Sequence, residues 1–185
     1  LATAARKDPV EYRLSLLVKQ PRYAGVLKLV TREANYATPP RGHHYGVALM
    51  EGYNTYMAML ADVSMEGGKL KLHALHVAVD CGQVVNPDTV IAQVEGGALF
   101  GLAAALWGQI DIRGGRVQQG NFHQYRLLRI NETPQVKVYL VPGTEEPGGI
   151  GEPSTALVAP AIANAVFRAT GTRYRSLPFA RHGLA

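Results

Sequence analysis

Apolar positions near the start of the chain repeat with the period of a helix. Asp8 and Pro9 fit the cap and the first position of a helix that ends at Pro21. Within it, apolar residues recur at helical spacing, at Val10, Leu14, Leu17 and Val18. The same spacing predicts a second helix over residues 23–34, with Val26, Leu27 and Val30 facing inward. The sequence therefore opens with a short helical segment.

The pattern changes after residues 38–42, Thr-Pro-Pro-Arg-Gly, which are typical of a linker. Residues 53–65 and 69–79 form two strand-like runs joined by Glu66, Gly67 and Gly68, a hairpin signal. In the second run both alternating sets of positions include apolar residues, so we expect that strand to be covered on both sides. The natural boundary lies at the linker.

The remaining elements alternate between helix and strand. Asn86 and Pro87 begin a helix that reaches about residue 107. Residues 109–112 and 116–119 form a hairpin, residues 135–141 a strand, and residues 155–170 a helix ended by Gly171 and kinked or restarted at Pro160. The order predicts an α+β fold, mostly antiparallel strands with helices packed on one side, preceded by the short helical segment. We expect residues 1–37 to be the end of a preceding domain and residues 43–185 to form the main domain.

The length and composition of the chain limit the classes of protein to which it can belong. A chain of 185 residues with 47% hydrophobic and 18% charged residues is long enough for one compact core. The single cysteine, Cys81, excludes an intrachain disulfide and a cluster held by several cysteines of this chain. We expect no membrane span, because no apolar run reaches roughly 20 residues. The chain starts at Leu1 and enters a helical pattern at once, which we interpret as a piece of a longer subunit.

The net charge of +5 raises the question of a polyanionic partner. Basic residues are scattered, with no run of five like charges and no aromatic residues interleaved with them. We therefore expect no nucleic-acid binding and assign the charges to solvated faces or to a contact with the rest of a larger subunit. Among the 19 basic residues are Arg6, Lys7, Arg13, Lys19, Arg22, Lys28 and Arg32 near the start of the chain and Arg168, Arg173, Arg175 and Arg181 near its end.

Residues 147–153, Pro-Gly-Gly-Ile-Gly-Glu-Pro, combine glycines with a carboxylate at a helix start. Pro153 suits the first helical position, so Glu152 lies where the positive end of the helix dipole favours its ionised form. The glycines allow another group to approach the backbone closely. Two interpretations stay open: an ordinary loop with a capping Glu152, or a general base beside an open space.

Three glycines interrupt the helix that begins at Pro87. Gly96, Gly97 and Gly101 each cost roughly 0.5–1 kcal/mol relative to alanine inside a helix. Either another backbone packs tightly against Gly97 and Gly101, or a ligand approaches Gly96 and Gly97. Spacing alone does not decide between these causes.

Histidines give weaker signals. His73 and His76 are three apart on a strand and point to opposite faces, and His43 and His44 are adjacent, so we expect structural or surface roles and no metal site. His123 and Tyr125 would face the same way in an extended segment between strands and are candidates for a substrate-facing role of unassigned kind. No phosphate-binding loop ending in Lys-Ser/Thr and no Gly-x-Ser-x-Gly motif is present.

Several segments in one order carry a family resemblance. They are GIGEP at 149–153, APAIANA at 159–165, RSLP at 175–178, VDCGQVVNP at 79–87, QVEGG at 93–97 and NFHQY at 121–125. Together they resemble the C-terminal part of the large subunit of the molybdenum hydroxylases, the xanthine dehydrogenase and aldehyde oxidase family of metal-binding oxidoreductases. The similarity is greatest to the beta subunit of the isoquinoline 1-oxidoreductase type and covers nearly the whole chain.

The resemblance implies a molybdopterin-type molybdenum cofactor in the parent enzyme. It implies hydroxylation of an N-heteroaromatic or an aldehyde with water as the oxygen source, and Glu152 as the catalytic general base. It places Gln93 against the pterin, and we include Gly96, Gly97, Gly149 and Gly151 as further cofactor-binding positions, with no residue ligating the metal.

The same resemblance implies partners: the remainder of the large subunit and a small iron–sulfur subunit. We expect the fragment alone to bind no cofactor and to be inactive. For the compartment it implies a soluble protein of the bacterial cytoplasm or periplasm. A non-catalytic interaction domain with the same scaffold, or a basic binding module, remains the alternative. The first would have Glu152 buried in a local ion pair, with no cavity between Glu152 and Gln93.

Overall fold

The computed structural model describes all residues, 1–185. Four helices and six strands alternate along it. They are α1 (Pro9–Leu16), α2 (Pro21–Glu33), β1 (His44–Gly52), β2 (Thr55–Glu66), β3 (Lys69–Asp80), α3 (Pro87–Trp107), β4 (Ile112–Arg113), β5 (Arg116–Val117), β6 (Gln135–Leu140) and α4 (Pro153–Thr170).

A four-stranded sheet with the order β1-β2-β3-β6 is the centre of the fold. The pairs β1–β2 and β2–β3 are antiparallel, whereas β6 runs parallel to β3, so the chain crosses over through α3 and the small β4–β5 hairpin before it rejoins the sheet. The predicted α+β class with mostly antiparallel strands is confirmed.

Helices lie against both faces of the sheet. On one face α3 and α4 pack together over Met57, Met59 and Leu75. On the other face α2 buries its inner side, Val26, Leu27 and Val30, against alternate positions of the same strands. This confirms that β3 is covered on both sides. It also shows why β2 is buried at every position from Met57 to Val63.

Strand β1 was missing from the sequence prediction, which assigned no element between the linker at residues 38–42 and the run that begins at residue 53. The structure pairs all of β1 with β2, from His44 opposite Val63 to Gly52 opposite Thr55. The connecting turn places Tyr53 and Asn54 at φ of 57° and 61°, in the left-handed region. Because neither residue is a glycine, this hairpin lacks the usual signal in the sequence.

Most local signals of the sequence have the predicted effect. The Asp8 carboxylate accepts the backbone N–H groups of Val10 and Glu11 at the start of α1, and Asn86 accepts that of Thr89 at the start of α3. The hairpins around Glu66 to Lys69 and Arg113 to Arg116 form as expected. Helix α4 ends at Gly171, in the left-handed conformation.

Two details of the helices differ from the prediction. Helix α1 ends at Leu16, and Val18 is exposed rather than inward. Helix α4 runs through Pro160 as one helix and does not restart there. The residues on either side of the proline, Leu157, Ala161 and Ile162, are buried in the core, and this packing holds the helix across the missing amide.

A close crossing joins β1 to α4 at Gly46. A Cβ atom at this position would lie 2.1 Å from the amide nitrogen of Ala165 and 2.2 Å from the carbonyl oxygen of Ala161, both backbone atoms of α4. The side chain of Asn164 donates a hydrogen bond to the carbonyl of Val47, 3.0 Å away. The helix therefore rests directly on the backbone of the edge strand.

Helix α3 is long and apolar enough to cross a membrane by length and composition alone. Its bounds, Pro87–Trp107, are those that the sequence analysis predicted, although that analysis expected no membrane span. Val94, Ala98, Leu102 and Ala105 of this helix are buried in the core against α4 and the sheet, and a core helix meets the same criterion.

An ion pair ties α2 to the end of β3. The Arg22 guanidinium donates to both carboxylate oxygens of Asp80, at 2.8 and 2.7 Å, and Asp80 also accepts the backbone N–H of Gly82. Only 5% of Asp80 is exposed. The hydrogen bond from Arg22 lowers the pKa of Asp80 below its ordinary value of 3.8, against the opposing effect of burial.

Replacing Arg22 by methionine is expected to lower the free energy of unfolding at pH 7 by about 3 kcal/mol, because Asp80 is then left buried without its partner. The stabilisation is present above the pKa that Asp80 has in the unfolded chain and is lost as the pH falls through its lowered folded value, so the difference between variant and wild type closes below about pH 4. Urea unfolding at several pH values measures it. The control is Arg32→Met, which removes an exposed pair with Glu33 and is expected to cost about 0–1 kcal/mol. Equal losses in both variants would contradict the prediction.

Candidate functional site

Glu152 lies at the first, capping position of α4, immediately before Pro153. Its side chain is exposed, makes no hydrogen bond to the helix, and takes part in no ion pair. The carboxylate thus stands in the field of the helix N-terminus without any partner from this chain. An ordinary capping role would require a hydrogen bond to the first turn, which is not formed.

The loop before Glu152 is fixed at two points. The backbone N–H of Gly148 donates to the carbonyl of Cys81, 2.9 Å away, and that of Gly149 donates to the carbonyl of Tyr53, 2.8 Å away. The hydroxyl of Thr55, fully buried, donates to the carbonyl of Gly149 at 2.7 Å. The turn between β1 and β2 and the end of β3 therefore position the segment that carries Glu152.

The glycines of this loop have different surroundings. A Cβ on Gly149 would lie 2.8 Å from the Cβ of Tyr53, so the packing of this chain already accounts for that glycine. Gly151 has no atom within 4 Å of the position of a Cβ. The backbone N–H groups of Ile150, Gly151 and Glu152 find no acceptor in the chain. Three consecutive free donors next to a helix N-terminus form a surface suited to an acceptor-rich group.

The start of α4 packs against the middle of α3. A Cβ on Gly97 would lie 2.2 Å from the Ser154 hydroxyl, and one on Gly101 would lie 2.5 Å from the Thr155 carbonyl. The Thr155 hydroxyl donates to the carbonyl of Gly97, 3.0 Å away. Close packing of the two helices therefore explains the glycines at positions 97 and 101. It is one of the two explanations that the sequence left open. The sequence analysis did not identify Ser154 and Thr155 as the residues that contact these glycines. Their small polar side chains, directly after Pro153, were the available indication of such a contact in the sequence.

Gly96 and Gln93 lie on the open part of α3. Nothing approaches within 4 Å of a Cβ on Gly96, and the exposed side chain of Gln93 makes no hydrogen bond within the chain. Gln93 stands one turn before Gly97, the residue in contact with α4, and so lies on the same side of the helix. Beside this crossing the hydroxyl of Ser154 is buried and without any hydrogen-bond partner.

Gln93, Gly96, Gly151 and Glu152 are exposed, and we call them together the open face. Two of the ten cavities of the structure, of about 800 and about 510 Å³, are lined by other residues and include neither Gln93 nor Glu152. Glu152 is not covered by apolar side chains. The open face carries the free carboxylate of Glu152, the free amide of Gln93 and three free backbone N–H groups, all available to a ligand.

The histidines have partners within the chain. The Nδ1 atom of His43 lies 2.7 Å from the Asp62 carboxylate, and the ring of His43 stacks on that of His73 at 4.0 Å. His76 is hydrogen-bonded through Nδ1 to the hydroxyl of Tyr139. No group of three residues is placed to hold a metal ion.

His123 and Tyr125 do not share an extended segment, which corrects the sequence prediction. His123 is exposed within a 3₁₀ turn over Phe122–Gln124, and Tyr125 follows that turn. The side chain of Gln124 accepts the backbone N–H groups of Gly120 and Asn121, and this capping is the reason that the segment turns.

Comparison with known proteins reveals several relatives. A family model described as a molybdopterin cofactor-binding domain matches residues 17–134. The isoquinoline 1-oxidoreductase subunit beta of Brevundimonas diminuta is 35% identical over 96% of this chain and 24% of its own length. A membrane-bound aldehyde dehydrogenase of Gluconacetobacter polyoxogenes, whose name specifies pyrroloquinoline quinone, is 34% identical over 96% of this chain and 26% of its own length.

Solved structures show the same fold. The aldehyde oxidoreductase from Desulfovibrio desulfuricans superimposes with a TM-score of 0.57 at 26% identity, over 67% of this chain and 14% of that one. The quinoline 2-oxidoreductase from Pseudomonas putida superimposes with a TM-score of 0.61 at 17% identity, over 68% of this chain and 17% of that one.

The chain spans about a quarter of the length of the two curated relatives described above. The family model covers well over half of the chain, and the relative from Brevundimonas diminuta aligns over nearly all of it. The chain belongs to the molybdopterin cofactor-binding domain family of the molybdenum hydroxylases.

Proposed function

We propose that the chain is part of the cofactor-binding subunit of an oxidoreductase that hydroxylates N-heteroaromatics or aldehydes with water as the oxygen source. One observation carries this proposal: Glu152 is exposed, unpaired and held at the start of α4 beside three free backbone N–H groups. The substrate classes come from the names of the relatives, an isoquinoline oxidoreductase and an aldehyde dehydrogenase.

The residues present fit one side of a molybdopterin-type cofactor. The free amide of Gln93 offers both a donor and an acceptor, which suits the mixed edge of a pterin. Gly96 and Gly151 leave their backbones open to close approach, whereas Gly97 and Gly149 contribute by letting α3, α4 and the loop pack closely beside them. When bound, the cofactor would supply the oxidation–reduction chemistry, taking up the two electrons and the hydrogen that the substrate carbon loses when its C–H bond breaks.

The role that we assign to Glu152 is that of a general base. A carboxylate oxygen accepts the proton of water as the oxygen adds to the substrate carbon. The fixed points at Gly148 and Gly149 hold the carboxylate at one place on the open face, which is the main contribution of this chain to catalysis.

The remainder of the enzyme would supply the other parts. With one cysteine, the chain holds no set of cysteines for an iron–sulfur cluster. We propose that a small iron–sulfur subunit carries the electrons away and that the rest of the large subunit covers the open face. On this proposal the isolated 185-residue chain binds the cofactor weakly and shows no turnover.

A Gly96→Ala variant tests the cofactor contact. In the isolated chain it is expected to be as stable as the wild type or more stable by about 0.5–1 kcal/mol, because the new methyl group meets no atom and alanine favours the helix. In the assembled subunit the same methyl group would stand between α3 and the cofactor, and the molybdenum content per subunit is expected to fall about tenfold, a cost of about 1.4 kcal/mol.

Elemental analysis of the purified assembly measures the molybdenum content. The matched control is Gly25→Ala, an equally open position on α2, which is expected to leave the molybdenum content unchanged. Full molybdenum content in the Gly96→Ala assembly would contradict the proposed contact.

The alternative of a non-catalytic interaction domain makes a different structural prediction. It requires Glu152 to be buried in a local ion pair, and the structure has it exposed without a partner. On this point the observation supports the enzymatic proposal. The alternative also requires that no cavity lies between Glu152 and Gln93, and neither residue lines the cavities of about 800 and about 510 Å³.

A further inference from the structure

A cavity of about 800 Å³ lies between the N-terminal segment and the C-terminal part of α4. It is remote from the start of α4, where Glu152 lies, and takes no part in the function proposed above. Six of its lining residues are cationic, and we call it the basic cavity. These residues are Arg6, Lys7, Arg13, Arg168, Arg173 and Arg175.

None of the six cations forms an ion pair. The five salt bridges of the structure involve other residues. Arg13 donates to the carbonyl of Pro9, Arg168 to the hydroxyl of Tyr36, and Arg173 to the side-chain oxygen of Asn164, and all three acceptors are neutral. Arg6, Lys7 and Arg175 make no side-chain hydrogen bond to the chain.

The one acidic residue of the basic cavity, Asp8, is already engaged. Its carboxylate accepts the backbone N–H groups of Val10 and Glu11, at 2.8 and 3.2 Å, and the hydroxyl of Tyr36, at 2.8 Å. These bonds cap α1 and fix Tyr36, and the carboxylate forms no ion pair with any of the six cations.

The accumulated charge is unfavourable in the chain by itself. Arg13 is half-buried, and this burial, followed by the repulsion from Arg173, lowers its pKa despite the opposing effects of Tyr36 and Asp8. A guanidinium that loses water without gaining a carboxylate raises the free energy of the folded state. An anion in the cavity would remove both the repulsion and the desolvation cost.

We propose that the basic cavity binds a small molecule with two or more phosphate or carboxylate groups. Five of the six cations are arginines, whose planar fork binds such groups through paired hydrogen bonds. The volume lies within the range of small-molecule sites. The cations come from two parts of the chain and line one concavity, in which Arg13 is half-buried and the other five are exposed.

Calorimetric titration of the 185-residue chain with inorganic pyrophosphate tests the proposal. We expect saturable one-to-one binding with a Kd below about 1 mM at low ionic strength, weakening as salt is added. Arg13→Gln and Arg175→Gln are each expected to weaken it about tenfold, the effect of losing one charge-assisted hydrogen bond. Arg175 makes no hydrogen bond within the chain, so its loss leaves the fold intact.

The matched control is Arg116→Gln, which removes the same charge from the exposed β4–β5 hairpin. It is expected to change the Kd less than twofold. Equal weakening in all three variants, or no saturation at 10 mM pyrophosphate, would overturn the proposal. A glutamate-rich peptide that binds at least tenfold more tightly than pyrophosphate, and loses its affinity in the same two variants, would assign the cavity to a protein segment and overturn it as well.

Discussion

Turnover is expected to fall about a thousandfold when Glu152 is replaced by glutamine in the longer subunit assembled with its partners. Glutamine keeps the size of the side chain and cannot accept the proton, and general-base catalysis contributes about 10²–10⁴-fold. Because Glu152 makes no hydrogen bond or ion pair in the chain, its replacement leaves the fold and the molybdenum content unchanged. Steady-state kinetics and metal analysis on the same preparation measure both quantities.

The matched control for this experiment is Glu146→Gln. Glu146 is an exposed carboxylate of the same loop whose side chain makes no hydrogen bond, and its variant is expected to keep the wild-type rate. A Glu152→Gln enzyme with near-normal rates would show that the proton goes elsewhere.

Replacement of Gly46 by alanine is expected to destabilise the chain by about 4 kcal/mol, more than overpacking usually costs, because the new methyl group meets the backbone of α4. Neither Ala161 nor Ala165 can rotate away, since the atoms involved are their own carbonyl oxygen and amide nitrogen. The helix must separate from β1 or the strand must shift. Denaturant unfolding monitored by circular dichroism measures the loss.

The same substitution at Gly25 is the comparison. Gly25 lies inside α2 with no atom near its Cβ position, and Gly25→Ala is expected to stabilise the chain by about 0.5–1 kcal/mol. A Gly46→Ala chain with an unchanged midpoint would show that α4 does not rest on β1 as described.

The fold was predictable where individual residues mark the end of a helix or a turn. Asp8, Asn86 and Gly171 mark helix ends by their side-chain or backbone chemistry, and the structure has helix ends at all three. Strand β1 has no such mark, because its turn is made by Tyr53 and Asn54. The parallel pairing of β6 with β3 was also not predictable from the sequence. The order of strands depends on how α3 packs, and no residue of β6 indicates it.

The candidate site was predictable in its parts and not in their arrangement. The position of Glu152 before Pro153 follows from the sequence of one loop. The anchoring of that loop depends on Cys81 and Tyr53, which are far away in the chain. The contacts of Gly97 with Ser154 likewise belong to two helices and could be read only from the structure.

The basic cavity shows the same limit more clearly. Its cations stand in two groups separated by most of the chain, and along the sequence they resemble an ordinary solvated surface. They meet because α4 crosses the sheet and brings Arg168 and Arg173 next to Arg13. A prediction from charge runs alone therefore misses a concentration of charge that the topology creates.

The order of the elements has a consequence for synthesis of the chain on the ribosome. Strands β1, β2 and β3 can form their meander early, and α2 can already shield one side of it. The other side stays incompletely covered until α4 has left the exit tunnel and added Leu157, Ala161 and Ile162 to the core. During that interval the nascent polypeptide exposes a large apolar surface. We therefore expect this stage of synthesis to depend most on chaperones.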